Sequence, residues 1–235
     1  MHPAHQQLLT ELQAVAPAEN TSFYYSDSYI LSGHQYYGVP VPTRRAIAKR
    51  WVRTHQYVSL EDFVCLLDSL YQGNTHEEKT LASYLLKYQD WHRATLDPTK
   101  LTVWLDELVG WAEVDALCQN VFTAADLLEN WHVWSSLIKT LSQSQNIYKR
   151  RASLVLLTGP THRNPDPRLH DLALAMVTRL AHERDIIITK AVSWLLREML
   201  QQQPARVSSF IKTHRETLPA IAVREVTRKL KTGRK

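Results

Sequence analysis

Residues 60–70 read LEDFVCLLDSL, and residues 77–88 read EEKTLASYLLKY. In both stretches apolar residues recur every three or four positions, the spacing that predicts an amphipathic α-helix. Ser59 precedes the first stretch and Asn74-Thr75 precedes the second, and side chains of this kind cap helix N-termini. Gln72-Gly73-Asn74 forms a short break between the two stretches. Together they predict a pair of helices joined by a tight turn.

The same periodicity continues along the chain, and no segment alternates convincingly as a β-strand. Breaks are predicted at Gly159-Pro160 and at residues 164–167, and Tyr36–Val41 is predicted to be a loop because Gly and Pro surround it. Short helices in pairs of roughly 35–45 residues predict an all-α fold, a right-handed α-solenoid of HEAT-like helical repeats. A compact irregular helical domain is the alternative. We expect residues 1–230 to form one domain and residues 231–235 to be a disordered basic tail.

Charge is distributed unevenly along this chain of net charge +5. Residues 54–130 hold 13 acidic and 4 basic side chains, whereas the remainder holds 10 acidic and 24 basic ones. Basic residues cluster in residues 44–53, in residues 149–151 and from Arg206 to the C-terminus. Such blocks can neutralise phosphates, and solvated helix faces are the alternative. The concave side of a solenoid would offer a basic face wide enough for a DNA duplex.

Several classes of protein find no support in the sequence. Cys65 and Cys118 lie in apolar runs, so we expect buried free thiols and a reducing, cytoplasmic location. No apolar run approaches the ~18 residues of a membrane span. Glycine-rich phosphate loops are absent and the eleven His show no ligand spacing, so we expect neither a nucleotide cofactor nor a metal. Five tryptophans are expected in the core: Trp51, Trp91, Trp104, Trp131 and Trp134.

Residues 110–118, GWAEVDALC, contain the pair of residues that points to chemistry. A four-residue spacing places Trp111 and Asp115 on the same face of a helix. A carboxylate in a chain with basic surfaces suits a cation that forms on the substrate. Taken alone, core packing of Trp111 and a surface or capping role for Asp115 remain alternatives.

The chain resembles the DNA alkylation repair family, the AlkD-like DNA glycosylases of HEAT-like repeat fold, from about Tyr29 to Leu230. The resemblance rests on the order and spacing of six short stretches. They are Tyr29 with Gly38–Arg45, Glu77–Ala82, Trp111 with Asp115, Lys149–Ala152, Lys190–Glu198 and Ala222–Glu225.

This resemblance implies excision of cationic N3- and N7-alkylated purines from duplex DNA by a monomer without a cofactor. The family's catalytic carboxylate falls on Asp115 and its active-site tryptophans on Trp111 and Trp194. The family holds the sugar and phosphate and leaves the base near the stack, so no deep base-shaped pocket is expected. Residues expected at the DNA backbone are Tyr29, Arg44, Arg45, Lys49, Arg150, Arg197 and Arg224.

One departure from the family pattern lies inside the key stretch. Ala112 and Glu113 stand between Trp111 and Asp115 where a different local motif is typical, and Glu113 adds a second carboxylate. The departure bears on substrate range more than on class. The alternative function is a non-catalytic HEAT-like module that binds DNA structures or protein partners.

Overall fold

The computed structural model describes residues 1–18, 30, 32–119 and 121–233, and most of these residues are helical. No β-strand forms among them; one isolated bridge joins Gln35 to Thr75. The predicted all-α fold is therefore confirmed. The chain divides into two compact units, Met1–Leu117 and Cys118–Lys235.

The first unit contains the described helices α1 to α7, the last of which reaches the boundary between the units. Their bounds are Pro3–Ala14 (α1), Val41–Thr54 (α2), Leu60–Tyr71 (α3), His76–Tyr88 (α4), Asp90–Thr95 (α5), Lys100–Trp104 (α6) and Gly110–Cys118 (α7).

The second unit contains the described helices α8 to α14. Their bounds are Ala124–Glu129 (α8), Trp131–Ser142 (α9), Ile147–Arg163 (α10), Pro167–Leu180 (α11), Ile186–Met199 (α12), Pro204–Thr213 (α13) and Ala220–Thr232 (α14).

Helix α4 forms the centre of the first unit. It is buried from His76 to Leu86, and both α2 and α3 pack against it, while α1 packs against α3. Helix α3 turns its apolar stripe inward, and Phe63, Leu66 and Leu70 are fully buried. Burying a side chain of this size stabilises the fold by about 1.5–3 kcal/mol. The stripe that the sequence predicts for residues 60–70 is thus the core-facing side of α3.

In the second unit, alternate helices lie side by side. Helix α10 packs against α12, and α12 packs against α14, while α9 and α11 pack against α10. Packing of each helix on the next but one is the arrangement expected of stacked helical repeats. The buried faces of α10 and α12 form the middle of this unit.

The predicted break at Gly159-Pro160 is wrong, because α10 continues through both residues to Arg163. Proline inside a helix lacks an N–H donor and costs about 3 kcal/mol. Every residue of α10 from Arg151 to Thr161 is buried. Packing on all sides of the helix outweighs the local cost of Pro160.

Two expectations of burial are also wrong. Trp91 is 74% exposed on the short helix α5, whereas Trp51, Trp104 and Trp134 are buried as expected. Cys118 is buried, but Cys65 is exposed, and both thiols are free. Cys65 lies on the side of α3 opposite the stripe of Phe63 and Leu66, which explains its exposure.

Helix α14 extends two residues past the domain boundary expected at residue 230. Gly233, with φ 67°, closes it in the left-handed conformation that favours glycine at helix C-termini. Within the described part of the chain, no helix combines the length and the hydropathy needed to cross a bilayer.

Candidate functional site

Helix α7 presents Trp111 and Asp115 on one face, and both side chains are half-buried. Val114, Leu117 and Cys118 are buried and face the interior. Gly110 opens the helix with φ 78°, a left-handed conformation that other residues adopt only with strain. The predicted helix is therefore present, and the four-residue spacing places the two residues on one face of it. Asp115 is partly open to solvent.

Glu113, the second carboxylate of α7, points away from this face and into the first unit. Its side chain is fully buried, and its Oε1 accepts hydrogen bonds from His34 Nδ1 at 3.0 Å and from His76 Nδ1 at 3.2 Å. Burial raises the pKa of Glu113, but the bonds from the two histidines outweigh it and bring the pKa below its ordinary value. Glu113 is therefore ionised at neutral pH and engaged inside the protein. Asp115 is the carboxylate on the opposite, half-buried face of α7.

Trp194 lies half-buried on α12 in the second unit. Its indole Nε1 donates to Glu198 Oε1 at 3.1 Å, and Glu198 Oε2 lies 2.8 Å from His162 Nδ1. These three residues border a cleft of about 170 Å³. Small-molecule pockets usually measure about 300–1,000 Å³, so this cleft is a small one. The remaining lining residues are Gln119, Thr158, Gly159 and Arg163.

Arg45 and Lys49 form an exposed basic pair on α2, and each lies over a tyrosine of α4. The Arg45 guanidinium is 5.3 Å from the centre of the Tyr84 ring, and Lys49 Nζ is 5.1 Å from that of Tyr88. Arg45 and Lys49 are four residues apart on α2, as Tyr84 and Tyr88 are on α4, so the two cations are separated by about 6 Å along the helix axis. Cation–π contacts of this kind contribute about 0.5–1 kcal/mol at exposed sites. They hold two positive charges in a row on the surface of the first unit.

Arg44, which was predicted to contact the DNA backbone together with Arg45 and Lys49, is buried. Its guanidinium donates to Thr80 Oγ1 on α4, so it belongs to the packing between α2 and α4. Arg44 is therefore not exposed for a phosphate contact, contrary to the prediction. Tyr29 lies outside the residues that the structure describes.

Three predicted DNA-binding arginines lie in the second unit, and their surroundings differ. Arg150 donates to the carbonyls of Ser144 and Gln145 at 2.9 Å, and its Nε lies 2.7 Å from Glu183. Arg197 donates to the Ser193 carbonyl and forms an ion pair with Glu225 at 3.5 Å. Arg224 is exposed and borders a cleft that also contains Arg215. Arg224 is thus the most open of the three.

The charged run at the start of α4 has a structural role that its sequence pattern does not reveal. Glu77 is fully buried, and its carboxylate accepts the backbone N–H groups of Tyr37, Gly38 and Val39 at 3.1, 2.9 and 3.2 Å. It fixes the segment that leads into α2 and hence into Arg45. Charged residues are almost never fully buried unless they are paired, so the charged letters of this run by themselves favour an exposed start of α4.

The next two residues of the run are buried as well. Glu78 forms a capping box with Thr75 and bonds to His5 at 2.7 Å. Burial raises the pKa of Glu78, but the hydrogen bonds from His5 and Thr75 hold it below its ordinary value. Lys79 donates to the Tyr71 carbonyl at 2.6 Å, and burial lowers its pKa although the charge of Glu113 opposes the shift. The capping pattern before α4 was the one visible signal of this network.

Among the described residues, no group of three His, Cys, Asp or Glu side chains is arranged to hold a metal ion.

Comparison with known proteins identifies the family. The sequence profile of the DNA alkylation repair enzyme family matches residues 8–230, and the chain belongs to that family. A solved structure from Enterococcus faecalis, described as a predicted DNA alkylation repair enzyme, covers 88% of this chain and 93% of its own. The two share 20% sequence identity and a TM-score of 0.71, which shows a common fold. None of the curated proteins matches the sequence.

Proposed function

We propose that the protein is a DNA glycosylase that excises positively charged N3- and N7-alkylated purines from duplex DNA in base excision repair. One observation carries the proposal. In a member of the DNA alkylation repair family, Trp111 and Asp115 share a half-buried face of α7. The other carboxylate of that helix, Glu113, lies on the opposite face and is fully buried.

A carboxylate suits this substrate better than a general acid does. An N3- or N7-alkylated purine already carries a positive charge, so it leaves with the electron pair of the N-glycosidic bond without being protonated. Breaking that bond moves positive charge onto the deoxyribose. Asp115 stabilises this oxocarbenium-like state and orients a water, which adds to C1′ and releases its proton. The products are the free purine and an abasic site.

The charge of Asp115 favours the transition state over the ground state. Intact DNA presents phosphates that repel the carboxylate, whereas the developing sugar cation attracts it, and this difference lowers the barrier. Trp111 is proposed to line the sugar site, because aromatic faces attract cations by about 0.5–2 kcal/mol, and Trp194 keeps the active-site role that the resemblance implies. The purine then stays near the base stack and need not enter a pocket.

Affinity for DNA is proposed to come from the phosphate backbone and to be independent of sequence. The exposed side chains of Arg45, Lys49 and Arg224 are best suited to this role. Arg150 and Arg197 would exchange their partners Glu183 and Glu225 for phosphates. Tyr29 keeps the backbone role that the resemblance implies. The two free thiols fit a reducing cytoplasm, and we take the protein to act there as a monomer.

The experiment measures the release of N7-methylguanine from a DNA duplex under single-turnover conditions. Free base and abasic sites are both quantified. Wild-type protein should release the base, and Asp115→Asn should slow release at least about tenfold, the contribution of one electrostatic group. DNA affinity should hold or rise, because a repulsive charge is removed. Glu61→Gln, which removes an exposed carboxylate of α3, is the matched control and should react at the wild-type rate.

Absence of release by wild-type protein, with tight DNA binding retained, would reject the glycosylase and favour a non-catalytic HEAT-like binding module. Equal rates for wild type and Asp115→Asn would instead reject the role of Asp115.

A further inference from the structure

The buried face of α7 is held by one carboxylate with donors from three parts of the first unit. Glu113 Oε1 accepts from His34 and His76 at 3.0 and 3.2 Å, and Oε2 accepts the Val109 N–H at 3.1 Å. His34 precedes α2, His76 begins α4, and Val109 directly precedes α7. One side chain therefore joins the start of α7 to two separate elements.

Further contacts hold His76 and the backbone beside His34. The backbone N–H of His76 donates to the Gln35 carbonyl at 3.0 Å, and the His76 and Tyr36 rings lie 5.6 Å apart. His76 is buried, and His34 is about one-quarter exposed. Because a carboxylate only accepts, both imidazoles donate from Nδ1. The two imidazole donors thus belong to elements other than α7 and are held by contacts outside it.

Helix geometry relates this anchor to the outer face of α7. Residues two apart in an α-helix are separated by about 200° around the axis. Glu113 therefore lies nearly opposite both Trp111, two residues before it, and Asp115, two residues after it. α7 is only nine residues long, so the anchor on one side determines which way the opposite side points.

We infer that Glu113, clamped by His34 and His76, is a positioning residue that sets the rotation of α7 and thereby aims Trp111 and Asp115 at the substrate sugar. This inference rests on the proposed glycosylase function for its chemical consequence. A shift of about 1 Å in a reacting group can cost on the order of a hundredfold in rate. Loss of the clamp should therefore lower the rate of base release without weakening the phosphate contacts.

The test compares four variants for the single-turnover rate of N7-methylguanine release and for affinity to undamaged duplex DNA. Glu113→Gln removes the charge, and His76→Leu removes one donor. His76→Asn restores an amide N–H near the position of Nδ1. Glu78→Gln is the control, because it alters another buried Glu–His pair of the same unit while a Gln still completes the capping box.

Glu113→Gln and His76→Leu should release base about ten- to hundredfold more slowly per folded molecule. Affinity should change less than about twofold, because phosphate contacts carry it. His76→Asn and Glu78→Gln should stay close to the wild-type rate. The inference is overturned if Glu113→Gln reacts at the wild-type rate, if His76→Asn is as slow as His76→Leu, or if rate and affinity fall together in all four.

A second readout separates this inference from the proposed function. The indole N–H resonance of Trp111, identified by its loss in Trp111→Phe, reports the position of α7 without any reaction. It should shift in Glu113→Gln and His76→Leu and stay in place in His76→Asn and Glu78→Gln. If wild-type protein releases no base but the resonance shifts in this pattern, the glycosylase fails and the clamp stands. An unmoved Trp111 resonance in Glu113→Gln overturns the clamp whatever the activity.

Discussion

Replacing Glu77 should separate the energetic roles of its two carboxylate oxygens. Oε1 accepts the N–H groups of Gly38 and Val39, and Oε2 accepts that of Tyr37. Glu77→Gln keeps an acceptor for the first pair but turns an NH₂ group toward the third donor. Glu77→Ala removes the acceptor from all three.

The structure allows the losses to be estimated. A buried donor left without a partner costs about 1–3 kcal/mol. One orphaned N–H in Glu77→Gln therefore predicts a loss of about 1–3 kcal/mol in the free energy of unfolding. Three orphaned groups in Glu77→Ala predict about 3–9 kcal/mol, against a typical total of about 5–15 kcal/mol. Glu77→Ala should thus be barely folded at 37 °C, and Glu77→Gln should be folded but weakened.

Urea unfolding at neutral pH, followed by circular dichroism, measures both losses. Glu61→Gln, an exposed carboxylate in the first turn of α3, is the matched control and should lose less than about 1 kcal/mol. If Glu77→Gln and Glu77→Ala lose the same amount, the separate roles of the two oxygens are refuted. A loss from Glu77→Gln no larger than that of the control would refute the whole account of this carboxylate.

Two further predictions concern charge. The double variant Arg45→Gln with Lys49→Gln should lower the slope of log binding constant against log salt concentration by about 1.8, since each phosphate contact contributes about 0.9. Arg53→Gln, on the same helix, is the control and should change the slope less. An unchanged slope in the double variant would remove the pair from the DNA interface. His170 is buried, its Nε2 donates to the Asn164 carbonyl at 2.9 Å, and burial lowers its pKa below 6.5. Because the unfolded chain takes up the proton first as the pH falls, this contribution to stability is present above pH 6.5 and is lost as the pH falls through the lowered pKa. In thermal melts between pH 7.5 and 5.5, the melting temperature of His170→Gln should therefore decline less than that of the wild type. An equal decline in the two proteins would contradict this.

Local signals in the sequence predict much of the helical fold. The stripe of Phe63, Leu66 and Leu70 marks the buried face of α3, and Ser59 caps that helix as expected. Helix α2 escaped notice because its exposed side is crowded with basic residues, and few apolar positions such as Ile47 and Trp51 mark its buried side. The helix through Pro160 was missed because packing, not local propensity, decides it.

The candidate site, like the fold, could be predicted from the sequence only in part. Spacing alone predicts that Trp111 and Asp115 share a face, because both lie on one helix. The partners of Glu113 are 79 and 37 residues away in the chain, and no periodicity connects them. The burial of Arg44 is likewise a property of how α2 meets α4. Long-range polar contacts of this kind become visible only when the helices are packed.

The two tyrosines beneath Arg45 and Lys49 have a consequence for the entropic cost of association. A long cationic side chain that is free in solution loses up to about 2 kcal/mol of rotamer entropy when it is fixed. Tyr84 and Tyr88 restrict Arg45 and Lys49 while the unit is still unbound. Part of the ordering therefore takes place during folding, before any polyanion arrives. This surface is preorganised, and it would gain more affinity from each charge than the same cations on a bare helix.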